Sequence, residues 1–316
     1  MDDYPGTFLE FEERFATEQA CREYLAQVRW SNGFRCPTCG CAEAWVGARA
    51  MYRWVGCRHR VSVTAGTIFQ DTRKPLRMWF RAMWWIASQK SGASALGLQR
   101  ELGLGSYETA WTWMHKLRRA MVRPGRDRLS GRVEVDETFV WGEEEGARGR
   151  ETETKALVVI AAEEDGPGVG RIRMRRVPDA TADSLQPFVI EAIAPGSVVH
   201  TDGWSSYKGI QGKGYVHEAT PLAGKGAGAA AELLPRIHLV ASLLKRWLLG
   251  THQGAVSIEH LDYYLDEFAF RFNCRTSRSR GLLFYRLVQQ AVDLDPVPYK
   301  QIIARAIGPQ SHNHYR

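Results

Sequence analysis

Long apolar runs are the first thing this chain lacks. None approaches the roughly 18 residues of a membrane-crossing helix, and no cationic-then-apolar leader opens it. A cytoplasmic protein without a membrane partner is expected. No G-x-x-x-x-G-K-[S/T] stretch is present, so no nucleotide cofactor is implied. No serine or tyrosine stands in a motif beside a base, so the chemistry does not require a covalent protein intermediate. Internal repeats and low-complexity tracts are absent as well. Acids are the scarcer charge, 35 against 42 lysines and arginines, and the net +7 points to an anionic partner. Cysteines number only six, and four of them, Cys36, Cys39, Cys41 and Cys57, crowd into one short stretch. Without a secretion signal, that crowding reads as metal ligation rather than a disulfide framework.

What is present divides into parts. At 316 residues the chain has room for two or three domains. Residues 1–71 hold five of the six cysteines and end in "SVTAGTIF", which reads as an alternating strand turning at Gly66. Residues 72–122 are helical, with no proline after Pro75, and Trp79, Trp84, Trp85, Trp111 and Trp113 read as core. "RPGRDRLSG" gives 123–130 the composition of a linker. From 131 to 295 the pattern is strand, then helix, and 296–316 is expected to be a tail. "RVEVDETFVW", "KALVVIAAEE" and "GRIRMRRV" read as three strands, the latter two joined by the hairpin loop "DGPGVG". "ADSLQPFVIEAI" reads as a helix, "SVVHTD" as a strand, and 235–249 and 257–273 as long helices. Three antiparallel strands, a helix and a further strand open an RNase H-like fold with a mixed sheet. The whole is an α+β multidomain chain.

Three constellations carry chemistry. Gly103 and Gly105 separate helices near 94–102 and 106–121, the pattern of a helix-turn-helix DNA-binding domain. Lys116, Arg118, Arg119 and Arg123 make its basic end, and Arg271 and Arg275 close a later helix in a run without acids; all six are candidate phosphate contacts. "CPTCG" sets Cys36 and Cys39 as a zinc knuckle. Cys57 stands where a second knuckle would end, but Trp54 occupies its partner's place, leaving Cys41 or His59 for a fourth ligand. Asp136 and Asp202 lie in or just after apolar strands, where a lone charge costs several kcal/mol unless a partner or metal neutralises it. By strand alternation Glu134, Asp136 and Thr138 share one face. Two carboxylates on adjacent strands suit Mg²⁺ or Mn²⁺.

In this order, "CPTCG", "SVTAGTIF", the helix pair, "VEVDETFVWG", "HTDGWSSY", "LLKRWLLGTHQG" and "HLDYYLDEFAFRFNCR" resemble one family. It is the DDE transposases of bacterial insertion sequences, of the zinc-ribbon, ISXO-like group related to Merlin elements. The resemblance runs from about residue 20 to about 290. It implies an enzyme that binds the terminal inverted repeats of an element, cleaves DNA with two divalent ions, Mg²⁺ or Mn²⁺, and joins the 3′-hydroxyls to target DNA. Asp136 and Asp202 fall on the first two catalytic positions. The third is implied seven residues before a lysine: Lys245 of "LLKRW" gives His238, on one helix face and roughly 10 Å apart along the axis. Glu232, Asp266 and Glu267 are the rivals for that place. A dimer or larger assembly on nucleoid DNA follows from having two ends to join. The alternative is a transposase-derived DNA-binding protein that no longer cuts.

Overall fold

The computed structural model describes residues 4–36, 38–47, 51–123, 125–140, 155–221, 232–253 and 256–304. The chain forms two compact units, one of residues 1–123 with 276–308, the other centred on 124–275.

The first unit opens with helices α1 (Phe8–Arg14) and α2 (Glu18–Arg29). Thr7 and Thr17 cap them, accepting the Glu10 and Ala20 N–H groups at 3.2 and 3.1 Å. Three short antiparallel strands follow, β1 (Ala44–Gly47), β2 (Met51–Trp54) and β3 (Arg60–Ser62). One face of this ribbon is closed by rings: Trp54, fully buried, stacks on Phe34 at 4.4 Å, and Tyr52 packs on Trp30 at 4.6 Å. "SVTAGTIF" does not continue as a strand. Its hydroxyls capture the backbone instead, Ser62 Oγ from Ala65 N–H and Thr67 Oγ1 from Phe69 N–H, both at 3.1 Å, and the chain winds through turns.

Helices α3 (Leu76–Ser88), α4 (Ala95–Leu102) and α5 (Tyr107–Arg119) come next. Pro75 leads α3, and Glu18 satisfies its Leu76 and Arg77 N–H groups at 3.0 and 3.1 Å. α4 ends at Gly103 in the left-handed region, φ +59°, and Ser106 caps α5. The predicted pair of helices and its glycine turn are therefore present.

The second unit is a five-stranded sheet: β4 (Arg132–Val140), β5 (Ala156–Asp165), β6 (Gly168–Val177), β7 (Val198–Thr201) and β8 (Val216–Ala219), in the order β6-β5-β4-β7-β8. β4, β5 and β6 pair antiparallel, β4 with β7 and β7 with β8 parallel, so the sheet is mixed as expected. α6 (Ala182–Ala192) covers one face, packing Leu185, Phe188 and Val189 on Val133, Val135 and Val159. α7 (Pro235–His252) and α8 (Leu261–Asn273) cover the other, over Val158, Ile160 and Met174. Covered on both faces, β5 is buried from Ala156 to Glu163, which is why it reads as unbroken "ALVVIAA".

Two expected boundaries shift. The segment 123–130 is no linker throughout: Leu129 is fully buried, and its N–H and C=O bond Ala192 O and Ala194 N–H at 2.8 and 2.7 Å. The sheet unit ends at Arg275 rather than 295. α9 (Arg280–Asp293) and α10 (Tyr299–Ala304) belong to the first unit, where Phe284 lies among Phe11, Phe80 and Trp84.

Candidate active site

Asp136 sits on β4, the middle strand. Val133 and Val135 point into the α6 core, so Glu134 and Asp136 face α7. The parallel register pairs Glu134 with His200, its last pair; Asp202 follows two residues on, close enough for its charge to act on Asp136. β7 stops at Thr201, leaving Asp202 as the first residue of a turn. That turn is pinned: Asp202 Oδ1 accepts Trp204 N–H at 2.8 Å, and Thr201 Oγ1 accepts Gly203 N–H at 3.1 Å, with Gly203 at φ +82°.

Asp136 feels its neighbour. Burial first, and then the charge of Asp202, raise the Asp136 carboxyl above the ordinary carboxylate range, against the pull of the Glu137 N–H at 2.8 Å and of His238. His238 lies at the end of the first turn of α7, its N–H bonded to Leu234 O at 3.2 Å. Its Nε2 is buried, and no described residue hydrogen-bonds it. Lys245, exposed, follows two turns later, its amine lowered by partial desolvation. A carboxyl raised by a second carboxylate, beside a buried imidazole nitrogen without a hydrogen bond, fits a divalent cation. The ligand atoms of Asp136, Asp202 and His238 do not converge as tightly as the thiols of the ribbon. Among the described residues only Cys36, Cys39 and Cys57 lie within 4.8 Å of one another as a set of three.

Sequence reasoning missed two neighbours. Tyr207, fully buried, donates its hydroxyl to Glu137 Oε1 at 3.1 Å. Desolvation, and then the charges of Glu137, Asp136 and Asp202, hold that phenol well above its ordinary pKa, so it stays a donor. Both residues stand inside the quoted motifs; only the β4–β7 pairing brings them together.

Of the three rivals, the two on α8 are engaged elsewhere. Glu232 is exposed ahead of α7. Glu267 is fully buried and pairs with Arg271 at 2.7 Å, and Asp266 has Arg126 as its countercharge.

The six expected DNA contacts sit in unequal surroundings. Arg118 is 2% exposed, because it shares the helix face of Ala110, Met114 and Leu117. Lys116 is half-buried against Ile68 O at 3.5 Å, and Arg119 reaches Asp295 O at 3.3 Å. Arg271 is held by Glu267. Arg275 is held by Val169 O, Gly170 O and Phe272 O. Arg123, just beyond α5, is exposed.

In the ribbon, Cys36, Cys39 and Cys57 converge as expected, with Cys36 and Cys57 sulfurs 3.5 Å apart and no disulfide. Some desolvation opposes it, but N–H groups of Cys39 and Thr38 and the Cys57 thiol bring Cys36 down to about 7. Cys39, although a Cys41 N–H lowers it, is pushed up to about 11 by Cys57 and Cys36. Three thiols sharing one site fit zinc. Cys41 points at Glu43 O, 3.7 Å away, and the His59 ring lies 5.5 Å from that of Trp54; neither joins the three.

Residues 128–273 match the model of the ISXO2-like transposase domain, and residues 16–60 that of the transposase zinc-ribbon domain. A relative described as an uncharacterized protein in transposable element ISH50, from Halobacterium salinarum, is 27% identical over 278 residues, 81% of this chain and 91% of that protein. That relative is archaeal, so a bacterial origin is not part of the match. None of the described helices is long and apolar enough to cross a membrane.

Proposed function

The chain belongs to the ISXO2-like transposases, and from that premise we propose that it binds element ends, cuts DNA by metal-assisted phosphoryl transfer and joins the freed 3′-hydroxyls to target DNA. The observation that carries this reading is the juxtaposition of Asp136, on β4, and Asp202, just past the end of β7, with the unpartnered, buried His238 Nε2 nearby. The sheet order supports an RNase H-like reading of the second unit.

Asp136, Asp202 and His238 would hold divalent cations, Mg²⁺ or Mn²⁺, which supply activation of the attacking oxygen and stabilisation of the leaving one. The protein's own part is geometric. The Glu137 N–H fixes the Asp136 carboxylate, and the Trp204 N–H fixes that of Asp202. Tyr207 ties Glu137 beneath them. Lys245, on the face of α7 that bears His238, would hold a phosphate of the strand being cut. An imidazole is a softer ligand than a carboxylate, so the site should favour Mn²⁺ over Mg²⁺. The α4–α5 pair would act as the helix-turn-helix, presenting the exposed Tyr107 end of α5 to DNA, and zinc would hold the ribbon through Cys36, Cys39 and Cys57. Joining two ends asks for at least two chains.

Asp136→Ala and Asp202→Ala should each abolish cleavage of a terminal-repeat duplex while leaving its binding intact in a gel-shift assay. Cleavage by either variant at near the parent rate would remove the assignment. Binding without cleavage by the parent chain, across Mg²⁺ and Mn²⁺, would favour the DNA-binding alternative.

A further inference from the structure

Glu134 is a buried acid, 1% exposed, on the same face of β4 as Asp136 and two residues before it. The chemistry proposed above gives it no part. Its carboxylate is aimed at the first turn of α7. Oε2 accepts the Arg236 N–H at 2.9 Å and the Ile237 N–H at 3.0 Å, and Oε1 accepts the Arg236 guanidinium at 2.9 Å. Pro235, at the helix start, has no N–H to satisfy, so Glu134 takes the two free donors that follow it. An anion there also meets the positive end of the helix dipole. The rest of the Arg236 guanidinium is spent on the β5–β6 hairpin, on Gly168 O at 2.9 Å, Gly166 O at 2.8 Å and Glu164 at 3.2 Å. The start of α7 is thus fastened to the strand that bears Asp136.

We propose that Glu134 is a positioning residue for the divalent-cation site: it clamps the start of α7 to β4 so that His238, which closes that first turn, is held beside Asp136. The inference rests on the assignment of Asp136 and His238 as ligands. A helix start bonded to water instead would tilt and slide against the sheet, and the side chain at its fourth position would lose its fixed approach. Groups that hydrogen-bond metal ligands directly govern affinity by roughly 10- to 100-fold, and a clamp on the ligand's own helix turn should act at the lower end of that range. Ordinary capping would show in stability alone.

The test uses the full-length chain without DNA, reading Mn²⁺ binding from loss of the free-ion electron paramagnetic resonance signal, with the melting midpoint recorded alongside. Glu134→Gln should weaken Mn²⁺ binding at least tenfold. Glu134→Asp, which keeps the charge but withdraws it by one methylene, should weaken it too while melting as the parent does, and serves if the glutamine variant fails to fold. Arg236→Ala leaves Glu134 on both backbone donors and should cost less than Glu134→Gln. Parental Mn²⁺ affinity in both Glu134 variants, with or without a lower midpoint, overturns the proposal and leaves Glu134 a helix cap. Parental affinity in Asp136→Ala overturns the ligand assignment itself, and that outcome is distinct.

Discussion

Neighbouring acids on α8 meet opposite fates. Glu267 is held in a charged pair with Arg271 at 2.7 and 2.9 Å, in full burial. Asp266 is pushed up to about 7, by desolvation above all and by Asp262, with Arg126 opposing. A carboxyl whose folded pKa is raised favours the fold while protonated. Its contribution is complete below the unfolded value and is lost as pH climbs from about 4 through about 7. Asp266→Asn, which cannot ionise, should therefore leave the melting midpoint unchanged near pH 4 and raise it progressively toward pH 8. A difference that stays flat between those pH values would show that Asp266 is not the group titrating. Glu267 bears on the catalytic assignment differently. Removing one partner of a buried ion pair costs about 3–5 kcal/mol, so a dead Glu267→Ala would report unfolding rather than lost chemistry. In a cleavage assay read beside melting curves, His238→Ala should fold and fail to cut, while Glu232→Ala should fold and cut. Inactivity of a folded Glu232→Ala, with cutting by His238→Ala, would hand the third position to Glu232. At this scale the closeness of Asp136 and Asp202 was legible, because each lies in or just after an apolar strand run and the two strands pair; their role is the proposal above. Residue type alone misleads for Arg118 and Arg271, although the phase of Arg118 with Ala110, Met114 and Leu117 was available in the sequence.

Elements show where local rules suffice and where they fail. Strands β4 to β7 and their helices follow their apolar patterns closely, since each buries a face that the pattern must supply. "SVTAGTIF" failed because side-chain hydroxyls two or three residues apart compete for the same backbone groups that a strand would pair. Prolines lead helices α3, α7 and α10, and in the first two a glutamate from another element satisfies the next N–H groups, Glu18 in one and Glu134 in the other. That pairing was invisible in sequence, because it joins residues far apart along the chain. The ribbon gives the clearest conflict between composition and structure. Trp54 occupies the place of a missing thiol, which suggests that Trp54→Cys would tighten zinc. Yet Trp54 is fully buried and stacked on Phe34, and truncating such a side chain costs about 3–5 kcal/mol. Trp54→Cys should therefore lower the melting midpoint of the zinc-loaded protein, even if zinc analysis finds the metal retained. A higher midpoint with a full zinc equivalent would mean that the fourth thiolate outweighs the lost stack.

On the scale of the whole molecule, the chain does not read as consecutive domains. It leaves the first unit at Arg123, builds the sheet unit and returns at Thr276. No local signal announces that return: α9 is an amphipathic helix like its neighbours, and its pattern does not say which core it joins. The packing does. Phe284, fully buried, has its ring 5.3 Å from that of Phe11 and 5.6 Å from those of Phe15 and Phe80. Leu287, Val288 and Ala291 are fully buried with it, and Ala291 O accepts the Ile68 N–H at 3.4 Å. Each large apolar side chain withdrawn from such a core costs about 2–5 kcal/mol, against a total stability of about 5–15 kcal/mol for a domain. A chain ending at Arg275 keeps Asp136, Asp202, His238, the α4–α5 pair and the cysteines, yet its first unit should not fold. In calorimetry it should show the melting of the sheet unit and lose the other transition, and it should lose specific binding of terminal-repeat duplex. Adding residues 276–304 as a separate chain during refolding should restore part of both, because the contacts they make need no covalent link. Binding and melting of the shortened chain equal to those of the parent would show that the first unit's core closes without α9.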